Sequence, residues 1–158
     1  MKRPFESSIF IIFILVSCCG IFSGCIKNRS VTTINPSMTA NIGSYNFTAL
    51  TVEPSTIDTQ AHDSITTLVI TGNTADMTSP HDKIELKISK YKIRTGTFSI
   101  VENQAFAFYV HSGVYSYALG GIVAITQVTP TSLIGYFSFT TQDGLVVANG
   151  AFNVLRPY

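Results

Sequence analysis

The chain has 158 residues, enough for one domain, and 46% of them are hydrophobic, enough to build a core. Only 12% are charged and the formal net charge is +1, which excludes the basic footprint of a nucleic-acid-binding surface. Trp is absent, and Val, Ile, Phe, Tyr, Thr and Ser fill the runs between turns, a composition that favours strands.

The first segment stands apart from the rest. Lys2 and Arg3 precede Ile9–Phe22, a run of 14 mostly apolar residues. A bilayer-spanning helix needs about 20, so residues 1–24 read as a signal peptide. The segment ends in Phe22-Ser23-Gly24-Cys25, with Phe22 where Leu is usual. This resembles the lipobox of bacterial lipoproteins. The resemblance implies cleavage before Cys25, a diacylglycerol on its thiol and an acyl chain on the new amine. That chemistry needs a thiol at the first mature position and small residues just before it. Leu15-Val16-Ser17-Cys18 also fits the pattern, so Cys18 is the alternative attachment site. Cutting there would leave an apolar terminus, whereas cutting at Cys25 leaves polar Ile26-Lys27-Asn28-Arg29-Ser30, and Cys25 is the expected site. A mature chain starting at Cys25 keeps one cysteine, so no disulfide is available to it. It also has 8 basic and 8 acidic residues, so the acyl chains, not charge, would hold it to the membrane.

Residues 25–37 read as a flexible tether, and residues 38–158 as one antiparallel β domain. Met38–Val52 holds two apolar-polar runs around a turn at Ile42-Gly43-Ser44. Glu53–Ser64 is polar and contains Pro54, which predicts a loop; Ile65–Gly72 predicts a strand, and Asn73–Asp82 a second loop. In Lys83–Ser89, Ile84, Leu86 and Ile88 alternate with Lys83, Glu85 and Lys87, the period of a half-buried strand. After Ser89 the parity flips, with Tyr91 and Ile93 as the apolar positions, which predicts a bulge or turn. "GTFSIV", "AFAFYV", "VYSYAL" and "GGIVAITQV" follow as further strands, and Thr129-Pro130-Thr131 turns the chain. The last two strands flank Asp143-Gly144, a strong hairpin signal. Phe137 and Phe139 share one face of the first, and Phe152 and Val154 one face of the second. Gly135 and Gly150 fall inside these strands, where Gly costs roughly 0.5–1 kcal/mol against Ala. They are expected at bulges or under large neighbours such as Tyr136 or Phe152. The sum is an all-β fold of about ten short strands, mostly hairpin-connected: an antiparallel β-sandwich or flattened barrel.

Several of these stretches, "MTANIGSYNFTA", "GTFSI" with "AFAFYV", "GGIVAIT" and "LIGYFSFTTQDGLVVANGAFNV", resemble those of a family of small Bacteroidota lipoproteins described only as a domain of unknown function. The resemblance implies a β domain behind a lipid anchor, and it carries no catalytic residues with it.

Candidate chemistry is sparse. His62, His81 and His111 are widely spaced, which does not suggest a metal site. No nucleophile-elbow motif is present, and Glu53, Glu85 and Glu102 are the only glutamates of the mature chain, so no catalytic residues, metal or cofactor are expected. Lys83, Lys87, Lys90, Lys92 and Arg94 form a basic stripe, read as a solvated strand face that protects a sheet edge, with lipid headgroups or a charged glycan as the alternative. Tyr109, Tyr115 and Tyr117 cluster around one hairpin and are the possible binding surface for a glycan or envelope protein, with core or rim packing as the other reading. Asp63-Ser64-Ile65 resembles the O-glycosylation sequon of these bacteria.

The expected protein is a lipid-anchored, non-catalytic binding or structural module of the bacterial envelope. The alternative is a small-ligand carrier with a lipocalin-like cavity. Ile26-Lys27-Asn28-Arg29 lacks the acids that tend to follow the cysteine in surface-exported lipoproteins, so the expected location is the outer membrane, facing the periplasm.

Overall fold

The computed structural model describes residues 34–157, apart from 54, 61–64 and 75–81. Cys18, Cys25, His62, Ser64 and His81 lie outside the described residues. Eleven strands follow in order: β1 (Ser37–Ile42), β2 (Tyr45–Thr48), β3 (Thr51–Val52), β4 (Thr56–Gln60), β5 (Ile65–Asn73), β6 (Lys83–Ser89), β7 (Gly96–Ser99), β8 (Ala105–His111), β9 (Val114–Val128), β10 (Ser132–Thr141) and β11 (Val146–Leu155). Every pairing is antiparallel. The sheet runs β2-β1-β11-β10-β9-β8-β6-β5-β3, with β4 added to β5 and β7 to β9.

The two ends of that path, β2 and β3, are separated in the chain only by Ala49 and Leu50. At this corner successive amides bond in opposite directions. The Ala49 N–H donates to the Met38 carbonyl of β1 at 2.9 Å, and the Leu50 N–H to the Asn73 carbonyl of β5 at 2.8 Å. The Glu53 N–H continues to the Thr71 carbonyl at 3.1 Å. The curled sheet thus brings its two ends together at this corner, the arrangement of a β-sandwich or flattened barrel. Gly72 makes the seam possible: a Cβ there would stand 2.7 Å from the Met38 sulfur.

The core is apolar and filled. Met38, Phe47, Leu68, Ile70, Ile84, Leu86, Ile88, Val123, Ile125, Leu133, Phe137 and Val147 are essentially inaccessible. Each such burial stabilises by roughly 1.5–3 kcal/mol relative to exposure. The strict alternation in β6 survives intact, with Ile84, Leu86 and Ile88 inward. The parity flip after Ser89 is a turn: Lys90 takes a positive φ of 52°, and Tyr91 folds back into the core with its N–H on the Thr66 carbonyl.

Three local expectations change. The polar stretch expected as a loop from Glu53 to Ser64 contains β4, because Thr56–Gln60 finds a continuous partner in residues 65–69 of β5. "VYSYAL" and "GGIVAITQV" form one strand of 15 residues rather than two. It pairs with β8 through Val114–Tyr117 and with β7 through Ile122–Ile125 on the same edge. Between these halves the pairing with β10 slips a residue, from Ala118 opposite Thr141 to Gly120 opposite Thr140. Gly121 takes φ of 135°, open to glycine, and its bare Cα lets the Ser138 carbonyl approach. Finally, β6 lies between β5 and β8, so its lysines guard no sheet edge.

Gly150 sits at both expected features at once. β11 gains a residue against both β10 and β1 here, and Asn149 takes φ of 51°. The ring above Gly150 is that of Phe137; Gly135 packs under Phe152.

A carboxylate-rimmed cleft at one end of the barrel

Antiparallel register brings to one end Gly43-Ser44, the end of β5 with the start of β6, Ser112-Gly113 and the turn from β10 to β11. Between them opens a cleft of about 730 Å³. Its apolar wall is Ile42, Val114 and Leu145, and its aromatic groups are Tyr45 and Tyr109. Asp82, His111, Ser112, Ser116 and Asp143 supply the polar groups. Inward alternation on β8 and β9 explains the set: Tyr109 lies opposite Ser116, and His111 opposite Val114.

The polar groups form two hydrogen-bonded clusters. In the first, the Tyr109 hydroxyl donates to Asp82 Oδ2 at 2.8 Å, and His111 Nδ1 lies 2.7 Å from Asp82 Oδ1. A carboxylate only accepts, so Nδ1 carries the proton of that contact. Asp82 is held to Thr74 by two bonds, the Thr74 N–H on the Asp82 carbonyl at 2.9 Å and the Asp82 N–H on the Thr74 hydroxyl at 3.0 Å. Burial, and then the hydrogen bond to Asp82, push the Tyr109 phenol above its ordinary range, so it stays a neutral donor. In the second cluster Asp143 accepts from the hydroxyls of Thr141 and Ser116, the latter at 2.9 Å. These two bonds, Thr141 first, hold the Asp143 carboxyl below its usual value. Thr141 also fixes the turn, its hydroxyl accepting from the Leu145 N–H at 3.0 Å, while Gly144 takes φ of 80°.

The three tyrosines expected as one surface are divided. Tyr109 is 6% exposed and faces the cleft, whereas Tyr115 and Tyr117 are 49% and 53% exposed on the outer face of the sheet. There they stack at 6.1 Å between centroids and flank Phe108 at 5.6 and 5.8 Å. Lys83 and Lys87 lie over the Phe108 ring at 5.3 and 5.6 Å, and both pair with Glu85. The basic stripe is therefore part-neutralised at Lys83 and Lys87, and Arg94 lies instead over Phe98.

Asp82, Ser116 and Asp143 were not expected as site residues. Asp82 and His111 are 29 positions apart, and only the pairing of β6 with β8, which skips β7, makes them neighbours. Among the described residues no three His, Cys, Asp or Glu side chains are grouped to hold a metal ion. Comparison with protein-family models, curated proteins and solved structures returns no match.

Proposed function

We propose that the protein is a lipid-anchored module of the bacterial cell envelope, acylated at Cys25, that binds a partner or ligand without chemistry. The observation that carries this reading is the division of the barrel into a filled centre and an open mouth. Phe137, Leu86, Val123 and Ile125 occupy the interior, while a cleft of about 730 Å³ opens at one end. Such a mouth, apolar with a few convergent polar groups, is the usual form of a binding site. These buried side chains favour the module over the lipocalin-like carrier, which needs an enclosed interior. A catalytic reading would start from the Asp82–His111 pair. Ser116, the buried hydroxyl of the cleft, is instead committed to Asp143, and we read the pair as structural.

The anchor rests on the lipobox-like Phe22-Ser23-Gly24-Cys25, and the resemblance to Bacteroidota lipoproteins is part of the same proposal. The absence of acids in Ile26–Arg29 supports an outer-membrane location facing the periplasm. Native mass spectrometry on protein extracted gently from its own membranes tests the reading. A chain starting at Cys25, with acyl mass and no cargo, is expected. A chain without lipid overturns the anchor, and a co-purifying mass held inside the barrel overturns the module in favour of the carrier. Removal of the domain by protease from intact cells overturns the periplasmic side.

A further inference from the structure

We infer that the cleft selects an organic cation: an ammonium or guanidinium group carried on an apolar body. The inference rests on the proposal that the protein works by binding at this mouth. Three features of the cleft converge on it.

The first is charge. The described lining includes two carboxylates, Asp82 and Asp143, and no Lys or Arg. The nearest lysine in sequence, Lys83, is turned to the other face of the sheet, where its ammonium lies 3.1 Å from Glu85. The second is acceptor capacity. Each carboxylate oxygen offers about two lone-pair directions. Asp82 uses one oxygen for Tyr109 and the other for His111; Asp143 uses one for Thr141 and the other for Ser116. The hydroxyls of Tyr109, Thr141 and Ser116 hold the two carboxyl groups in fixed orientations at the cleft. A cation's N–H groups can then bond to acceptors already oriented, which makes the charge-assisted bond shorter and stronger. The third is the wall. Tyr45 and Tyr109 line the cleft, Tyr109 stacked on His111 at 6.2 Å, and an exposed tyrosine ring such as Tyr45 can attract a cation through its quadrupole, while Ile42, Val114 and Leu145 suit an alkyl or aryl body. A bare metal ion would leave that wall and about 730 Å³ unused. Among the described lining residues an anion would meet two carboxylates, with His111, itself held by Asp82, as the one group able to carry positive charge.

The test is calorimetric titration of the full chain in mild-detergent micelles, with empty micelles as the blank. Three probes share one body and differ in head group: 4-phenylbutylamine, 4-phenylbutanol and 4-phenylbutyrate. The amine is cationic at neutral pH, as an alkylammonium titrates near 10.4. Saturable binding of the amine, about tenfold or more tighter than the alcohol, with the carboxylate weakest, is the expected result. Asp143→Asn should then weaken the amine by about tenfold and leave the alcohol unchanged. Equal binding of amine and alcohol overturns the inference, because the cleft is then an apolar pocket. Tighter binding of the carboxylate, or no saturable binding of any probe, overturns it too. The head-group comparison is made on the unaltered protein, so a variant that fails to fold does not blunt the test. Loss of the lipid anchor would sink the envelope reading while leaving these titrations unchanged, so the two failures are separable.

Discussion

The ring of Phe137 occupies the place where a side chain at Gly150 would begin. A Cβ at position 150 would lie 2.5 Å from two atoms of that ring and 2.6 Å from the Phe137 carbonyl oxygen. The two residues are register partners across β10 and β11. The β11 bulge lets the Phe137 ring lie across its neighbour's backbone, stacked at 6.2 Å on Phe139 and 6.5 Å on Phe152. Gly150→Ala should therefore act as overpacking of a rigid aromatic cluster, costing about 1–3 kcal/mol or more. Urea unfolding checks this: the midpoint should fall with little change in slope. A midpoint equal to that of the unaltered protein would show that Phe137 has room to move.

The Tyr109–Asp82 hydrogen bond should register in stability and in alkaline titration. Tyr109→Phe keeps the ring and removes one donor to a carboxylate whose other partner, His111, is largely exposed. The expected cost is about 1–2 kcal/mol. Burial raises the phenols of both Tyr109 and Tyr91 above the ordinary value of about 10. A raised folded value means the neutral phenol favours the folded state. That stability is present below the unfolded value and is lost as pH rises beyond it. Phenolate absorbance should therefore lag in the folded protein just above pH 10, recover on unfolding, and lag less in Tyr109→Phe.

Asp143 adds to the acid dependence of stability. Its carboxyl is lowered from 3.8, first by the Thr141 hydroxyl and then by that of Ser116. A depressed folded value stabilises the fold above the unfolded value, and the contribution disappears as pH falls through the folded one. The acid limb of stability should therefore descend below about pH 4. Asp143→Asn should be less stable than the parent at neutral pH and should converge with it in acid. Thermal unfolding across that range decides the matter; parallel curves would mean that the ionised carboxylate contributes nothing.

What could be read from the sequence follows from what each residue reports. In Lys83–Ser89 every position declares a face, so the strand and its buried set are legible residue by residue. Thr56–Gln60 declares none, because Thr, Asp and Gln suit a loop equally well, and its pairing with β5 is visible only in space. The tyrosines were separable in principle. A two-residue turn at Ser112-Gly113 places Val110 opposite Tyr115 and Tyr109 opposite Ser116, so Tyr109 and Tyr115 must face opposite ways. The long β9 was hidden by Gly120-Gly121, which punctuates most strands but here relieves the crowding at a bulge. The cleft itself was out of reach, because its two carboxylates are brought together by hairpins far apart in sequence.

Amide exchange at the corner between β2 and β3 tests whether the barrel is closed. Leu50 is 77% exposed by side chain, and its neighbours in sequence leave one strand to begin another. On an open sheet such a residue would exchange its amide quickly. Here the Leu50 N–H is bonded to Asn73 and the Ala49 N–H to Met38, so both should be protected, as should Glu53 through Thr71. Leu50→Pro deletes the donor and leaves the Asn73 carbonyl unpaired at a buried residue, which should cost roughly 1–3 kcal/mol. It should raise exchange at Ala49 and Glu53 while leaving the β10–β11 amides unchanged. Fast exchange at Leu50 in the unaltered protein would mean that the sheet is curled but open, with β2 and β3 as free edges.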